Sequence, residues 1–127
     1  MTEKNNKKHI AIVDDDPMVG TMTAHCIKRA GYATTVFESP TEALRWLHDT
    51  SVPVSLIISD HNMPDMTGAE LARKLAAIRP DIPVIICSGY VDAIEEYAAD
   101  LPNLSAIMTK PTPTDKLLNT VEPAFPM

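Results

Sequence analysis

Hydrophobic residues fall along this chain in two alternating patterns. Short, almost continuous apolar or β-branched stretches occupy His9–Val13, Ala33–Phe37, 55–59 around Leu56-Ile57-Ile58, Pro83–Cys87 and Leu104–Met108. Runs of that length, bounded by turn residues, predict buried strands. Between them, apolar positions recur three and four residues apart, which predicts amphipathic helices. The helices fall over 17–30, 40 to about 49, 68–79, a short polar segment at about 92–99, and a last one after Thr112-Pro113 to about Val121. Strand and helix alternate five times, and this alternation implies a parallel sheet covered on both faces. Right-handed crossovers leave few arrangements. The expected fold class is α/β: a five-stranded parallel sheet, doubly wound as (βα)5, in the flavodoxin-like order 2-1-3-4-5.

Punctuation supports these bounds. Asp16-Pro17 reads as an N-cap with proline at the first helical position, and Gly31 ends that helix. Ser39-Pro40-Thr41-Glu42 has the capping-box pattern. Pro80 stops the third helix, and Pro123 and Pro126 forbid a long continuation of the last. Met18, Met22 and Cys26, four residues apart, are expected to fill the core. Leu44 and Leu47, then Leu71, Leu75 and Ile78, supply the buried stripes of the next helices, and Trp46 packs along its own helix. Arg73, Lys74 and Arg79 read as a solvated surface, and His61 as an exposed loop residue.

Length and composition narrow the class. With 127 residues, 45% of them hydrophobic, the chain suits one domain with one core. A flexible tail at 1–8, a domain at 9–122 and a short C-terminal tail at 123–127 are expected. The polar start lacks the hydrophobic stretch of a secretory signal, and no apolar run is long enough to span a membrane. A cytoplasmic location without membrane attachment is the expectation. The net charge of −6 disfavours direct nucleic-acid binding, which calls for a basic stripe. Cys26 and Cys87 form no C-x-x-C pair and read as buried, reduced thiols.

The chemistry gathers at one edge. In open α/β sheets, ligands bind beyond the carboxyl ends of the strands. There the first strand delivers Asp14 and Asp15, the third Asp60, the fourth Ser88 and the fifth Lys110. Each alone has a plainer reading: a turn aspartate, a helix cap, a surface lysine. Together they place three carboxylates around one switch point, where like charges repel unless a cation joins them. A hard divalent ion with oxygen ligands fits, and Mg²⁺ fits best. No His or Cys stands at zinc spacing. A carboxylate beside the metal can act as nucleophile toward phosphorus. Lys110 then offers a point charge and Ser88 a hydroxyl donor to the phosphoryl oxygens.

This pattern resembles the receiver domain of two-component response regulators over almost the whole chain. The matching residues are Asp14-Asp15 after Val13, Asp60 in Asp60-His61-Asn62-Met63-Pro64 with Gly68 beyond, Ser88, and Lys110-Pro111. The resemblance implies that Asp60 is the phosphoacceptor. It implies that Asp14, Asp15, Asp60 and the backbone carbonyl of Asn62 hold Mg²⁺, that Ser88 and Lys110 contact the phosphoryl group, and that the Lys110–Pro111 bond is cis. The implied partners are a histidine kinase or phosphotransfer protein and a downstream protein target. The only reaction implied is the domain's own phosphorylation and dephosphorylation. An alternative is a receiver that binds partners without being phosphorylated, which would show gaps in the acidic pair, acceptor or lysine. A hydrolase built on Ser88, His61 and Asp60 is a third, weaker reading, because Cys87-Ser88-Gly89 lacks the G-x-S-x-G elbow.

One position departs from the family. An aromatic residue often stands three positions before the lysine, where this chain has Ile107. A β-branched side chain is stiff and has no polar tip to expose. Ile107 is therefore expected to stay buried, with the signal leaving through Ser88, Tyr90 and the helix at 92–99.

Overall fold

A computed structural model describes residues 8–49, 51, 53–89, 100–110 and 114–124. The strands are β1 (His9–Val13), β2 (Ala33–Phe37), β3 (Leu56–Asp60), β4 (Val84–Ser88) and β5 (Leu104–Thr109). The helices are α1 (Pro17–Arg29), α2 (Pro40–Leu47), α3 (Gly68–Ile78) and α4 (Thr114–Ala124). All strand pairs are parallel, in the order β2-β1-β3-β4-β5, as expected. Strand bounds agree with the sequence pattern to within a residue. The expected helix at 92–99, Tyr90, the Lys110–Pro111 bond and the tail at 1–7 lie outside the described residues.

Local chemistry explains the element ends. Asp16 caps α1, its carboxylate accepting the Met18 and Val19 amides, and Pro17 follows it. Gly31 then takes a φ of 105°, a left-handed conformation that glycine adopts without strain. Ser39 caps α2 by accepting the Glu42 amide. Thr67 and Glu70 form a reciprocal capping box at the start of α3. In α4, Pro123 sits inside the last turn and the helix runs on to Ala124, three residues past the expected end. Pro123 lacks the amide that would donate to the Asn119 carbonyl, and the helix ends one residue later.

β3 and β4 are buried along their whole length, because both have strands on each side and helices on each face. Strand alternation divides the core in two. Ile10, Ile12, Leu56, Ile58, Ile85 and Met108 pack with Ala24 and Ile27 of α1 and Leu117 and Val121 of α4. Ala11, Val13, Ile57, Val84 and Ile86 pack with Ala43 and Leu47 of α2 and with Leu71, Ala72 and Leu75 of α3. The sheet is thus sandwiched by two helix layers.

Several sequence expectations need correction. Met18 and Met22 are not core residues; they are 72% and 64% exposed. Helix α1 carries a second stripe, Gly20, Ala24 and Ile27, and that stripe is buried. Small residues let the helix approach the sheet: a Cβ at Gly20 would lie 3.1 Å from Val36 Cγ1. The larger methionines are rotated out. Cys26, on the methionine stripe, is only half-buried, while Cys87 is buried as expected; both thiols are free.

Arg79 is buried rather than solvated, at 6% exposure. Its guanidinium donates to the carbonyls of Leu47 and Asp49 at 3.3 Å each, with Asp81 3.7 Å from Nε. It ties the end of α2 to the end of α3. His61 is also buried, at 7%. Ile107 is half-buried rather than sealed in the core. Trp46 packs beyond its own helix, against Phe37 of β2 and His9 of β1, with ring centroids 5.2 and 5.8 Å apart.

His9 sits in a part-buried site, its Nε2 2.7 Å from Thr35 Oγ1. Burial pushes its pKa below the ordinary 6.5. A depressed histidine favours the neutral form in the folded state. Its stability contribution is therefore present above the unfolded pKa and is lost as pH falls through the folded one. Denaturant titrations between about pH 7.5 and 5 should show a shallower fall in stability for His9→Gln than for the parent.

Candidate functional site

Register brings the chemistry to one edge. Val13 pairs with Ser59, so Asp14 and Asp60 stand level, one step beyond that pair. Ser88 and Thr109 pair at the ends of β4 and β5, and Lys110 follows. By strand alternation, Asp14 continues the face of Ile10 and Ile12, and Asp60 that of Leu56 and Ile58. Both carboxylates therefore lean toward the α1 and α4 side. In a parallel sheet a one-residue slip would send one of them to the opposite face.

The loops hold these positions. The Asp14 amide donates to the Phe37 carbonyl at 3.0 Å, and the Lys110 amide to the Ser88 carbonyl at 2.9 Å. The His61 amide donates to the Cys87 carbonyl at 2.9 Å, and the Gly68 amide to the His61 carbonyl at 3.0 Å. Gly68 is required by close approach: a Cβ there would stand 2.8 Å from the Asp60 carbonyl oxygen and 3.1 Å from His61 Cα. The turn after Asp60 can fold back onto the strand only because this residue lacks a side chain.

Asp14, Asp15 and Asp60 each offer a carboxylate oxygen within 4.8 Å of the others. Asp14 and Asp60 are buried and Asp15 is exposed. Lys110 Nζ lies 2.9 Å from Asp60 Oδ1 and 3.4 Å from Asp14 Oδ2. Ser88, 1% exposed, closes β4 at the same edge. Asn62 is exposed in the turn. The structure thus brings Asp14, Asp15, Asp60 and Lys110 into one cluster and sets Ser88 and Asn62 on the flanking segments.

The electrostatics are those of an incompletely neutralised cluster. Burial pushes the Asp14 carboxyl up; the hydrogen bond from the Asp16 amide, at 3.0 Å, and the Lys110 charge only partly offset it. For Lys110, burial pulls the ammonium down, but the Asp60 hydrogen bond and both carboxylate charges outweigh it, so its pKa rises. The two partners move in the same direction because burial dominates at Asp14, whereas the two carboxylates outweigh burial at Lys110. The lysine stays charged, and Asp14 is left short of positive charge. Oxygen donors alone, with charge to spare, suit a hard cation.

Two neighbours are chemically quiet. Burial pushes the Cys87 thiol up to about 12, which keeps it from acting as a thiolate. Burial also lowers His61 more than the nearby Asp60 and Glu70 raise it. Sequence pattern alone did not reveal that His61 is buried, because its side chain follows a strand end and precedes a turn.

Comparison with known proteins agrees with this fold. The family model described as the response regulator receiver domain matches residues 10–122. The chain belongs to the response regulator receiver family. The receiver is 30% identical to the response regulator receiver protein CpdR of Brucella abortus, covering 91% of this chain and 94% of that protein. It is 28% identical to the sensor kinase CckA of the same organism, covering 95% of this chain but 13% of the kinase. Among solved structures, a CheY-like receiver domain protein from Methanospirillum hungatei superposes with a TM-score of 0.83 at 26% identity, over 92% of each chain. An uncharacterised protein from Neptuniibacter caesariensis gives a TM-score of 0.83 at 31% identity, over 92% of this chain and 86% of that one. The receiver is a two-component signalling module. Among its described residues no helix is long and apolar enough to cross a membrane.

Gly68→Ala tests the close approach at the site. Alanine at the first turn of α3 gains helix propensity, by about 1 kcal/mol at most. The clash is with backbone atoms, which cannot step aside, and overpacking of this kind costs roughly 1–3 kcal/mol. A net loss of stability is expected in denaturant unfolding, with Asp60 displaced.

Proposed function

We propose that this receiver accepts a phosphoryl group on Asp60 from a histidine kinase or a histidine phosphotransfer protein, and that phosphorylation changes its binding to a downstream protein. The observation that carries this reading is Asp60 itself: a strand-end carboxylate held 2.9 Å from Lys110 and clustered with two further carboxylates. No gap in the acidic pair, the acceptor or the lysine favours a receiver that works without phosphorylation.

Asp60 is the nucleophile in this scheme. One of its oxygens forms the new P–O bond while the donor's P–N bond breaks. The electron pair stays on the donor's imidazole nitrogen, which takes up a proton. Phosphoryl transfer of this kind needs positioning and charge neutralisation more than covalent help. The hydrogen bonds from the His61 and Gly68 amides keep the Asp60 turn in place. Lys110 turns from the Asp60 carboxylate to the phosphoryl oxygens, and Ser88 donates its hydroxyl to another.

The oxygen donor set fits Mg²⁺, which Asp14, Asp15, Asp60 and the Asn62 carbonyl would hold. When bound, the ion neutralises charge on the transferring group. Asp15, the exposed member, adds long-range attraction that draws the cation in. The reaction belongs to the domain's own modification cycle, in a cytoplasmic compartment, without direct contact with nucleic acid or membrane.

Intact mass after incubation with a small phosphodonor and Mg²⁺ tests the acceptor. The parent should gain one phosphoryl group and Asp60→Asn none; equal labelling of the variant would refute the assignment. Asp15→Asn removes a unit charge beside the cation. Such a charge at a few ångströms contributes roughly 1 kcal/mol or more, so Mg²⁺ affinity should fall about fivefold or more. Calorimetric titration with Mg²⁺ checks this.

A further inference from the structure

The acidic cluster opens sideways into a cleft. Between α1, α4 and the sheet lies a half-open space of about 530 Å³. Its walls are chiefly apolar: Ile12, Val19, Met22, Ile58 and Leu117. Asp14, Asp60 and Lys110 line the same space. Cys26 Sγ and Thr114 Oγ1, both on its wall, meet at 3.4 Å and join α1 to α4. The volume falls within the roughly 300–1,000 Å³ of small-molecule sites, which pair apolar walls with a few converging polar groups.

The cleft has a physical origin. The small stripe of α1, Gly20, Ala24 and Ile27, faces the sheet, and Met18 and Met22 are rotated outward. Helix α1 thus comes close to β1 and β2 at Gly20 but leaves its side toward α4 thinly filled.

Charge decides what such a cleft would take. At its polar end Asp14 and Asp60 line the cleft and Asp15 stands beside them; the three carboxylates share one ammonium among the described residues, and that ammonium is already paired with Asp60 and Asp14. An anionic head would meet net negative charge, whereas a cationic head would supply what the cluster lacks. A bare divalent ion satisfies the carboxylates but leaves the apolar walls to water.

We propose that the cleft binds a hydrophobic amine, with its ammonium among Asp14, Asp15 and Asp60 and its apolar body between α1 and α4. Such a ligand and a divalent cation exclude one another. An amine of this class is then a negative effector of the receiver. The binding claim is independent of the reading of Asp60 as phosphoacceptor; the effector claim rests on that reading.

Hexylamine is a suitable probe, measured by calorimetry on the full chain without phosphodonor. Butylamine, hexanoate and hexanol serve as comparisons. Each buried methylene should tighten binding by about two- to fourfold, so hexylamine should bind about four- to sixteenfold more tightly than butylamine. Hexanoate and hexanol should bind far more weakly, and Mg²⁺ should displace hexylamine competitively. Thr23→Phe, on the cleft wall, should abolish the chain-length dependence while leaving Mg²⁺ affinity unchanged. Circular dichroism checks that it folds, and Cys26→Phe fills the same wall if it does not. Equal affinities for the two amines, equal binding of hexanoate, binding that persists in saturating Mg²⁺, or unchanged chain-length dependence in a folded filled variant would each overturn the proposal. Phosphorylation with and without hexylamine is scored separately. A chain that takes no phosphoryl group even without amine defeats the phosphoacceptor reading and leaves the calorimetric result standing. Binding without slowed phosphorylation, in a chain that does take the group, defeats the effector claim.

Discussion

The contact between Lys110 Nζ and Asp60 Oδ1, at 2.9 Å, is what lets the carboxyl edge of this sheet hold together. Three carboxylates within 4.8 Å of one another repel, and two of them are buried, where water screens little. One ammonium, arriving from the end of the fifth strand, offsets part of that repulsion. It reaches Asp60 only because β5 lies beside β4, and β4 beside β3, in fixed parallel register. Everything else in the fold serves to keep those strand ends level.

That partial neutralisation connects structure with chemistry. A fully compensated cluster would have no use for a metal ion or a phosphoryl group. A wholly uncompensated one would have to protonate or open. Here Lys110 remains charged through its pairing with Asp60, while burial pushes Asp14 up. The site is poised to take an additional cation. The surrounding sheet contributes stiffness. β3 and β4 are buried end to end, and the Asp60 turn is pinned by two backbone hydrogen bonds and by the absence of a side chain at Gly68.

The two faces of the sheet are filled differently. On the α2 and α3 side, Leu47, Leu71 and Leu75 interlock with the strands, and Arg79 stitches the layer at its margin by donating to two carbonyls. A buried guanidinium is tolerable there because those carbonyls accept from it and Asp81 pairs with its charge. On the α1 side, a narrow glycine and alanine stripe admits close approach but fills less volume. The cleft beside the carboxylates is the result, and the exposed methionines at its rim are the other half of the same choice of helix rotation.

The amino-acid sequence by itself determined the order and type of the elements, because strand runs and helix stripes differ in period and are set off by Asp16-Pro17, Gly31, Ser39-Pro40 and Pro80. It also put Asp14, Asp15, Asp60, Ser88 and Lys110 at strand ends, and parallel strands present those ends on one side. There Asp14, Asp15, Asp60 and Lys110 cluster, and Ser88 lies beside them. Helix rotation was not legible. Met18-Met22-Cys26 and Gly20-Ala24-Ile27 are both plausible stripes, and periodicity counts apolarity rather than the distance at which a helix must sit. The fate of Arg79 and His61 was equally hidden, because an arginine at a helix end and a histidine in a turn are usually solvated. Burial of Arg79 depends on the α2 terminus arriving beside it from about thirty residues earlier, and burial of His61 on the chain folding back at Gly68. Only tertiary structure decides such cases, since the groups that cover or satisfy these side chains come from elsewhere in the chain.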